Sequence, residues 1–470
     1  MQFIKAIRYS PWSNIAFVGA GGKTTAIFRA ARELLTSSYE NLGLKTVLVT
    51  TSTHFGAWQT HYADHFCTIS SNSDIVRLEN DFPDGIVLLA GDESNNLLDG
   101  LPPNRLEKLQ SIALKHHLPV LIEADGSHLC PLKAPTEHEP AIPEFSQIVV
   151  VVAGLVGLEK PLGNKWVHRP QKFSELSGLR MGDLVTRDAL VKVMLNKAGG
   201  LKNIPSNARR MVLLNQADTP ELQSAGKSIG NKLIPDYHSV IIASLAKKSN
   251  VEKFVDSNHY ENREGIHAVI EQIGGIILAA GGSSRFGEPK QLLIWKGVPL
   301  IRHVAKAAFE AGLSPVIIVV GAAAEEVKSA VKDLPVRIVN NPEWAAGMSG
   351  SIKAGLIALP IDIGGVVFMQ ADQPQIPPAL IRSLVEVHEA TLTPIIAPQI
   401  DGQRGNPVLF DSSTFTKLLS LEGDIGGRAI FGHYQVRWVP WHDANILLDI
   451  DSPEDYQKFL SNYPENGAKV

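Results

Sequence analysis

The sequence predicts an α/β protein built as two doubly wound domains. Three observations carry this. The 470 residues exceed what one hydrophobic core normally organises. An apolar strand that breaks into a glycine turn and then a helix occurs twice, at 14–35 and again from Ile276. Between and after these, short β-branched runs alternate with helical stretches, the pattern of a parallel sheet with crossover helices.

Composition narrows the function. With 44% hydrophobic, 20% charged and 7% aromatic residues the chain reads as a soluble globular protein. A net charge of −4, without a Lys/Arg run, excludes a general nucleic-acid surface. Cys67 and Cys130 stand far apart with no CxxC, so neither a disulfide framework nor a zinc site is supported, and a reducing cytoplasm is expected. MQFIKAIRY is no apolar leader, and no run of about eighteen apolar residues suggests a membrane span.

In the first half, Asn14 to Val18 reads as a strand turning at Gly19-Ala20-Gly21-Gly22 into a helix that opens with Lys23-Thr24-Thr25. Helix N-terminal N–H groups, a lysine and a hydroxyl suit a phosphate chain and Mg²⁺. The loop is P-loop-like and not a standard Walker A, since Phe17 stands where that motif has its first glycine. Gly19, Gly21, Gly22, Lys23, Thr24 and Thr25 are therefore candidate nucleotide-binding residues, the alternative being a glycine turn with a solvated lysine. The strand Thr46 to Val49 delivers the hydroxyls of residues 50–53 to a sheet edge where ligands bind, strand ends and an N-cap being the alternative. Pro119 to Ile122 ends in Glu123-Ala124-Asp125, with Asp125 the candidate metal or water ligand and a turn-closing acid the alternative. Met211 to Leu214 ends in Asn215-Gln216-Ala217-Asp218, similar to the Asn-Lys-x-Asp base reader of GTP-binding proteins with Gln in the Lys position.

Taken in order, GAGGKTT, TTSTHF, EADGS and the KAP that begins at Lys133 resemble the YqeC-like family of selenium-dependent molybdenum hydroxylase accessory proteins. The resemblance covers residues 1–245. It implies a nucleotide-binding accessory domain, with ATP or GTP left open, and a molybdenum hydroxylase apo-enzyme as partner. Residues 246–270 turn polar and form the expected linker, with a short helix over His267 to Ile273.

The second half opens with IILAAGGSSRFGEPK. Ala280, Gly281, Gly282, Ser283 and Ser284 let backbone N–H groups approach phosphate, and Arg285 and Lys290 add positive charge. LAAGGSSRFGEPK resembles the signature loop of MobA-like nucleotidyltransferases, most of all the molybdenum cofactor cytidylyltransferases. The resemblance implies a Rossmann-like, GT-A-like fold over 271–465, with CTP and a molybdopterin-type cofactor as substrates and Mg²⁺ as cofactor. Further along, Ser349 and Ser351 stand at the start of a helix, where they favour an anionic or polar ligand, with N-capping the alternative.

Gly365 to Met369 is a buried strand that ends at Asp372, and a carboxylate there needs a cation or donors. Asp372 is the expected metal ligand, as in the resembling family, with a turn-capping aspartate the alternative. GQRGNPVLF resembles the cytidylyltransferases, which places Arg404 and Asn406 toward the second substrate. Leu447 to Asp451 reads as a strand with Asp449 and Asp451 on one face, Asp451 being the favoured second metal ligand. Arg285, Lys290 and Asp372 form the expected catalytic set. Transfer of CMP from CTP to the cofactor phosphate is the expected reaction. A guanylyltransferase, a sugar-nucleotide pyrophosphorylase and a nucleotide-gated delivery scaffold are the alternatives.

Overall fold

The computed structural model describes residues 1–36, 43–79, 81–246, 265–282 and 286–463. The chain divides into two compact units, Met1–Ile270 and Glu271–Val470.

The N-terminal unit is built on nine strands: β1 (Ile15–Gly19), β2 (Thr46–Thr51), β3 (His65–Thr68), β4 (Gly85–Ala90), β5 (Val120–Glu123), β6 (Ile148–Gly154), β7 (Arg209–Asn215), β8 (Ser239–Ala243) and β9 (Ile266–Glu271). Their spatial order is β9-β8-β7-β6-β1-β5-β2-β4-β3, parallel from β8 to β3. β1, β2, β5 and β6 are buried almost throughout, as expected of parallel strands covered on both faces. Helix α1 (Lys23–Thr36) follows β1 directly. The helix expected over His267 to Ile273 is instead mostly β9. Ile266, Ala268, Val269 and Ile270 are buried there, and β-branched residues on a buried run fit a sheet better than a short helix. Residues 247–264, which include most of the expected linker, lie outside the described residues.

The C-terminal unit has β10 (Ile273–Ala279), β11 (Val316–Val320), β12 (Arg337–Asn340), β13 (Gly365–Gln370), β14 (Ile395–Ile400), β15 (Gln403–Arg404), β16 (Val408–Asp411) and β17 (Val436–Pro440). The order is β12-β11-β10-β13-β16-β14-β15, with β17 beside β14. β10 to β13 are mutually parallel, and β16 runs antiparallel to β13 and β14. From β10 the chain moves outward through β11 and β12, then returns to β13 on the other flank of β10. Such a reversal opens a crevice at the carboxyl ends of β10 and β13. Helices α2 (Leu300–Glu310), α3 (Met348–Ile357) and α4 (Pro378–Thr391) bury their apolar faces on the sheet.

The expected strand at Leu447 to Asp451 does not form. Ala444–Leu447 is a single tight turn, capped by the Asp443 carboxylate accepting from the Asn445 N–H at 3.0 Å. Gln375 then donates to the Asn445 and Leu448 carbonyls at 3.2 and 2.7 Å, so side chains take the bonds a neighbouring strand would have made. The helix that follows, Pro453–Asn462, starts on a full capping box between Ser452 and Asp455. Among the described residues no helix is long and apolar enough to cross a membrane.

Candidate active site

A cavity of about 560 Å³ occupies the crevice of the C-terminal unit. One wall is the end of β10, Ala280-Gly281-Gly282; the opposite wall is Gln370 to Asp372 after β13. Gly281 is exposed with nothing near its Cβ direction, whereas a Cβ on Gly282 would stand 2.9 Å from the Trp344 ring. The glycine pair thus keeps one backbone face open and lets an indole close over the next residue.

Lys290 stands at the mouth, 18% exposed, and spans two carboxylates: Asp372 Oδ2 at 2.9 Å and Asp451 Oδ1 at 2.8 Å. Burial works against its charge, but Asp372 and Asp451 outweigh it and hold its pKa above the ordinary lysine value. The third expected acid faces elsewhere. Asp449 accepts from Gln373 Nε2 at 2.6 Å, and its pKa is raised, first by burial and then by the charges of Asp372 and Asp451. Among the described residues no three His, Cys, Asp or Glu side chains gather into a metal cage. Ser283, Ser284 and Arg285 lie outside the described residues.

The two serines separate. Ser349 donates to the Gly423 carbonyl at 2.7 Å, and Asp424 Oδ1 accepts from the Met348 N–H at 3.2 Å, so the start of α3 is capped from within the protein. Only Ser351 of the pair lines the cavity. Asp424 and Trp344 line it too, and the sequence reading gave Asp424 no binding role. Asp424 directly follows Gly423, whose φ is +69°, and only the fold brings 424 beside 348. Arg404 and Asn406 do not line the cavity, and the Arg404 guanidinium lies 6.0 Å from the Phe431 ring centroid.

In the N-terminal unit the glycine loop sits at the equivalent sheet edge. Gly19 and Gly21 have φ of +94° and +93°, and a Cβ there would lie 2.2 Å from Val152 O and 2.3 Å from Gly154 N. Lys23 is buried. Its ammonium donates to Gly19 O at 2.7 Å and pairs with Asp125 at 3.2 Å and Glu123 at 3.7 Å. Its pKa is raised: burial opposes the charge, and Asp125 and Glu123 outweigh it.

Asp125, expected as a metal or water ligand, is instead saturated by the Gly19 N–H, Lys23 and Lys133, the last at 2.8 Å. The acid that meets Thr24 is Glu123, accepting its hydroxyl at 3.1 Å; burial above all pushes the Glu123 carboxyl up. Lys133 continues the chain of charges to Glu139 at 2.8 Å, which also pairs with Arg169. Gly22 is half-buried and Thr25 exposed on α1.

Asn215 corrects the base-reader expectation. It is 2% exposed, and both ends of its amide bind backbone, Nδ2 to Gly21 O at 2.8 Å and Oδ1 from the Leu245 N–H at 3.0 Å. Asp218 is exposed. Three of the hydroxyls at the end of β2 and just past it are likewise spent internally, Thr50 on Leu89 O, Thr51 on Glu123 O and Ser52 on Ala141 O.

A glycine-edged opening at a sheet reversal, polarised by one lysine between two acids, suits a nucleotidyltransferase, and residues 275–438 match the family model of the MobA-like NTP transferase domain. Residues 15–171 match the model of the YqeC protein. The chain is 33% identical over 202 residues to the uncharacterized protein YqeC of Escherichia coli (strain K12), covering 43% of this chain and 75% of that one. It belongs to the YqeC family and carries a MobA-like NTP transferase domain after the YqeC part. That second part is 29% identical over 203 residues to nicotine blue oxidoreductase of Paenarthrobacter nicotinovorans, covering 40% of this chain and 96% of the relative. It is 26% identical over 194 residues to molybdenum cofactor cytidylyltransferase of Escherichia coli (strain K12), again covering 40% and 96%.

Proposed function

We propose that the C-terminal unit transfers CMP from CTP to the terminal phosphate of a molybdopterin-type cofactor. An oxygen of that phosphate forms the new bond to the α-phosphorus while the α–β bridging bond breaks, and pyrophosphate leaves. The observation that carries this reading is Lys290 held between Asp372 and Asp451 at the mouth of the cavity, opposite the Ala280–Gly282 backbone. The nucleophile is already ionised, so alignment and charge compensation are the protein's whole task. The open backbone at Gly281 receives the phosphate chain, and the Lys290 ammonium compensates its charge, as would Arg285, five positions earlier in the sequence. The pair Asp372 and Asp451 fits a divalent cation, because the two carboxylates already share one cation, the lysine. Mg²⁺ held by them would lower the charge on the triphosphate and make pyrophosphate a better leaving group.

Arg404 and Asn406 belong in this reading to the second substrate, outside the nucleotide cavity. The resemblance to cytidylyltransferases favours CTP over GTP. The test is transfer to molybdopterin with each of the four nucleoside triphosphates. CMP transfer is expected to dominate, and Asp372→Ala is expected to abolish it without unfolding the protein. Transfer undiminished in that variant, or NAD(P)H oxidation in place of transfer, overturns the reading.

For the N-terminal unit we propose binding of the phosphate chain of ATP or GTP at Gly19 to Thr25, in service of molybdenum hydroxylase maturation. Thr24 with Glu123 is the pair that suits Mg²⁺ there, since the hydroxyl and carboxylate already touch. Lys23→Ala is expected to spare nucleotidyl transfer and stop hydroxylase maturation.

A further inference from the structure

Ser351 is 5% exposed, lines the cavity of the C-terminal unit, and meets Asn341 Nδ2 at 3.0 Å. The direction of that bond is fixed by a second one. Asn341 is also 5% exposed, and its Oδ1 accepts the Glu343 N–H at 3.1 Å. A backbone N–H can only donate, so the atom facing it is the amide oxygen and the amide NH₂ faces Ser351. Ser351 Oγ is therefore an acceptor in this pair, and its own proton is not consumed there. Among the described residues the Ser351 hydroxyl donates to no partner. A buried donor without an acceptor is unfavourable, and this one borders the cavity.

The fold is arranged to keep Asn341 in that role. It closes β12, its N–H donates to Val320 O at 2.8 Å, and Gly350 leaves room for it, since a Cβ there would stand 3.2 Å from Nδ2. Ser349, two residues earlier on α3, has its proton taken by Gly423 O.

We propose that Ser351 is a dedicated hydrogen-bond donor to an acceptor atom of the bound nucleotide, and that Asn341 is the positioning residue that makes it so. The inference rests on the cavity being the nucleotide site and adds to it the polarity of one wall. Asn341→Asp is the decisive variant. A carboxylate still accepts the Glu343 N–H, so the turn survives, but it has no proton to offer Ser351 and takes that hydroxyl's proton instead.

The measurement is calorimetric binding of CTP and of GTP, each with Mg²⁺, to the full chain, together with steady-state transfer. Ser351→Ala and Asn341→Asp are each expected to weaken CTP binding about five- to tenfold, the loss of one neutral hydrogen bond. KM rises by the same factor while kcat holds within about twofold. The double variant is expected to be no weaker than Ser351→Ala alone, because both changes remove the same proton. A merely structural role for Asn341 would lower the melting temperature and add to the serine defect, and that result overturns the inference. Loss of affinity in Ser351→Ala with none in Asn341→Asp overturns it too, while leaving the cavity as the nucleotide site. Failure of the wild-type chain to bind either nucleotide overturns the cavity reading and this inference together.

Discussion

Replacing Lys290 by Met removes the one cation that, among the described residues, Asp372 and Asp451 share, while keeping most of the side-chain volume. Both carboxylate oxygens lie within 3 Å of the same nitrogen, so they are at most about 6 Å apart. Two negative charges about 5 Å apart repel by about 3 kcal/mol at an effective dielectric of about 20. Asp451 is 62% exposed, which reduces the figure to about 1–2 kcal/mol. In the wild type the lysine relieves that repulsion, and a divalent ion entering the pair must displace it. The variant is therefore expected to bind Mn²⁺ without nucleotide about tenfold more tightly than the wild type, read from loss of the free Mn²⁺ electron paramagnetic resonance signal. Nucleotidyl transfer is expected to fall about 10²-fold or more, since the same ammonium no longer compensates the phosphate chain. Unchanged or weaker Mn²⁺ binding in Lys290→Met would refute the idea that the lysine holds the cation position.

Other expectations follow from groups away from the cavity. In the N-terminal unit His168 is pushed down to about 4, first by burial and then by Arg169, Lys133 and the stacked His128. Burial opposes charge on Glu139, yet Arg169 and Lys133 hold it down at about 2. Both folded pKa values lie below their unfolded counterparts, so both contributions are complete at neutral pH and fade with acid. The His168 part fades from about 6.5 toward 4, and the Glu139 part from about 4.5 toward 2. Each is worth about 1–2 kcal/mol after allowance for solvent. His168→Asn is expected to remove the first decline in a melting-temperature series against pH and leave the second. In the C-terminal unit His388 Nε2 and Asp411 Oδ2 pair at 2.7 Å, each side chain 1% exposed, so Asp411→Ala is expected to destabilise by about 3–5 kcal/mol in urea unfolding.

Much of the fold was legible because its punctuation is local. Gly19 and Gly21 must adopt positive φ, the β-branched run in β6 cannot be anything but a buried strand, and the capping box at Ser452 announces its helix. The partners of polar side chains were not legible, because they come from far along the chain. Asn215 meets Gly21 across 194 residues, Ser349 meets Gly423 across 74, and Gln373 meets Asp449 across 76. Asn215, Ser349 and Asp449 were sensibly read as ligand groups from their positions at a strand or helix end, and all three proved to be hydrogen-bonded within the protein to a partner that no local pattern reveals. β9 was misread for a related reason. Its neighbour in the sheet is what makes six residues a strand, and a six-residue apolar run does not distinguish strand from helix by itself.

The two units share one device with different freedom to move. Each places a lysine between two acids beside a glycine bend, but Lys23 is sealed at 2% exposure with Asp125 also bound to Lys133 and the Gly19 N–H. Lys290 leans on Asp451, which is largely in solvent, and opens on a cavity of about 560 Å³, against about 30 Å³ beside Asp125. A phosphate chain can reach Lys290 by displacing one exposed carboxylate. To reach Lys23 it must break a buried, hydrogen-bonded charge network, and breaking such a network is slow because no water compensates the charges as they part. Binding of fluorescent ATP or GTP at the N-terminal loop is thus expected to show a stopped-flow rate that saturates with nucleotide concentration, in a phase that disappears in Lys23→Met. A rate for that phase that keeps rising linearly with nucleotide would mean that Lys23 is available without prior opening, and the contrast between the two lysines would then lose its kinetic meaning.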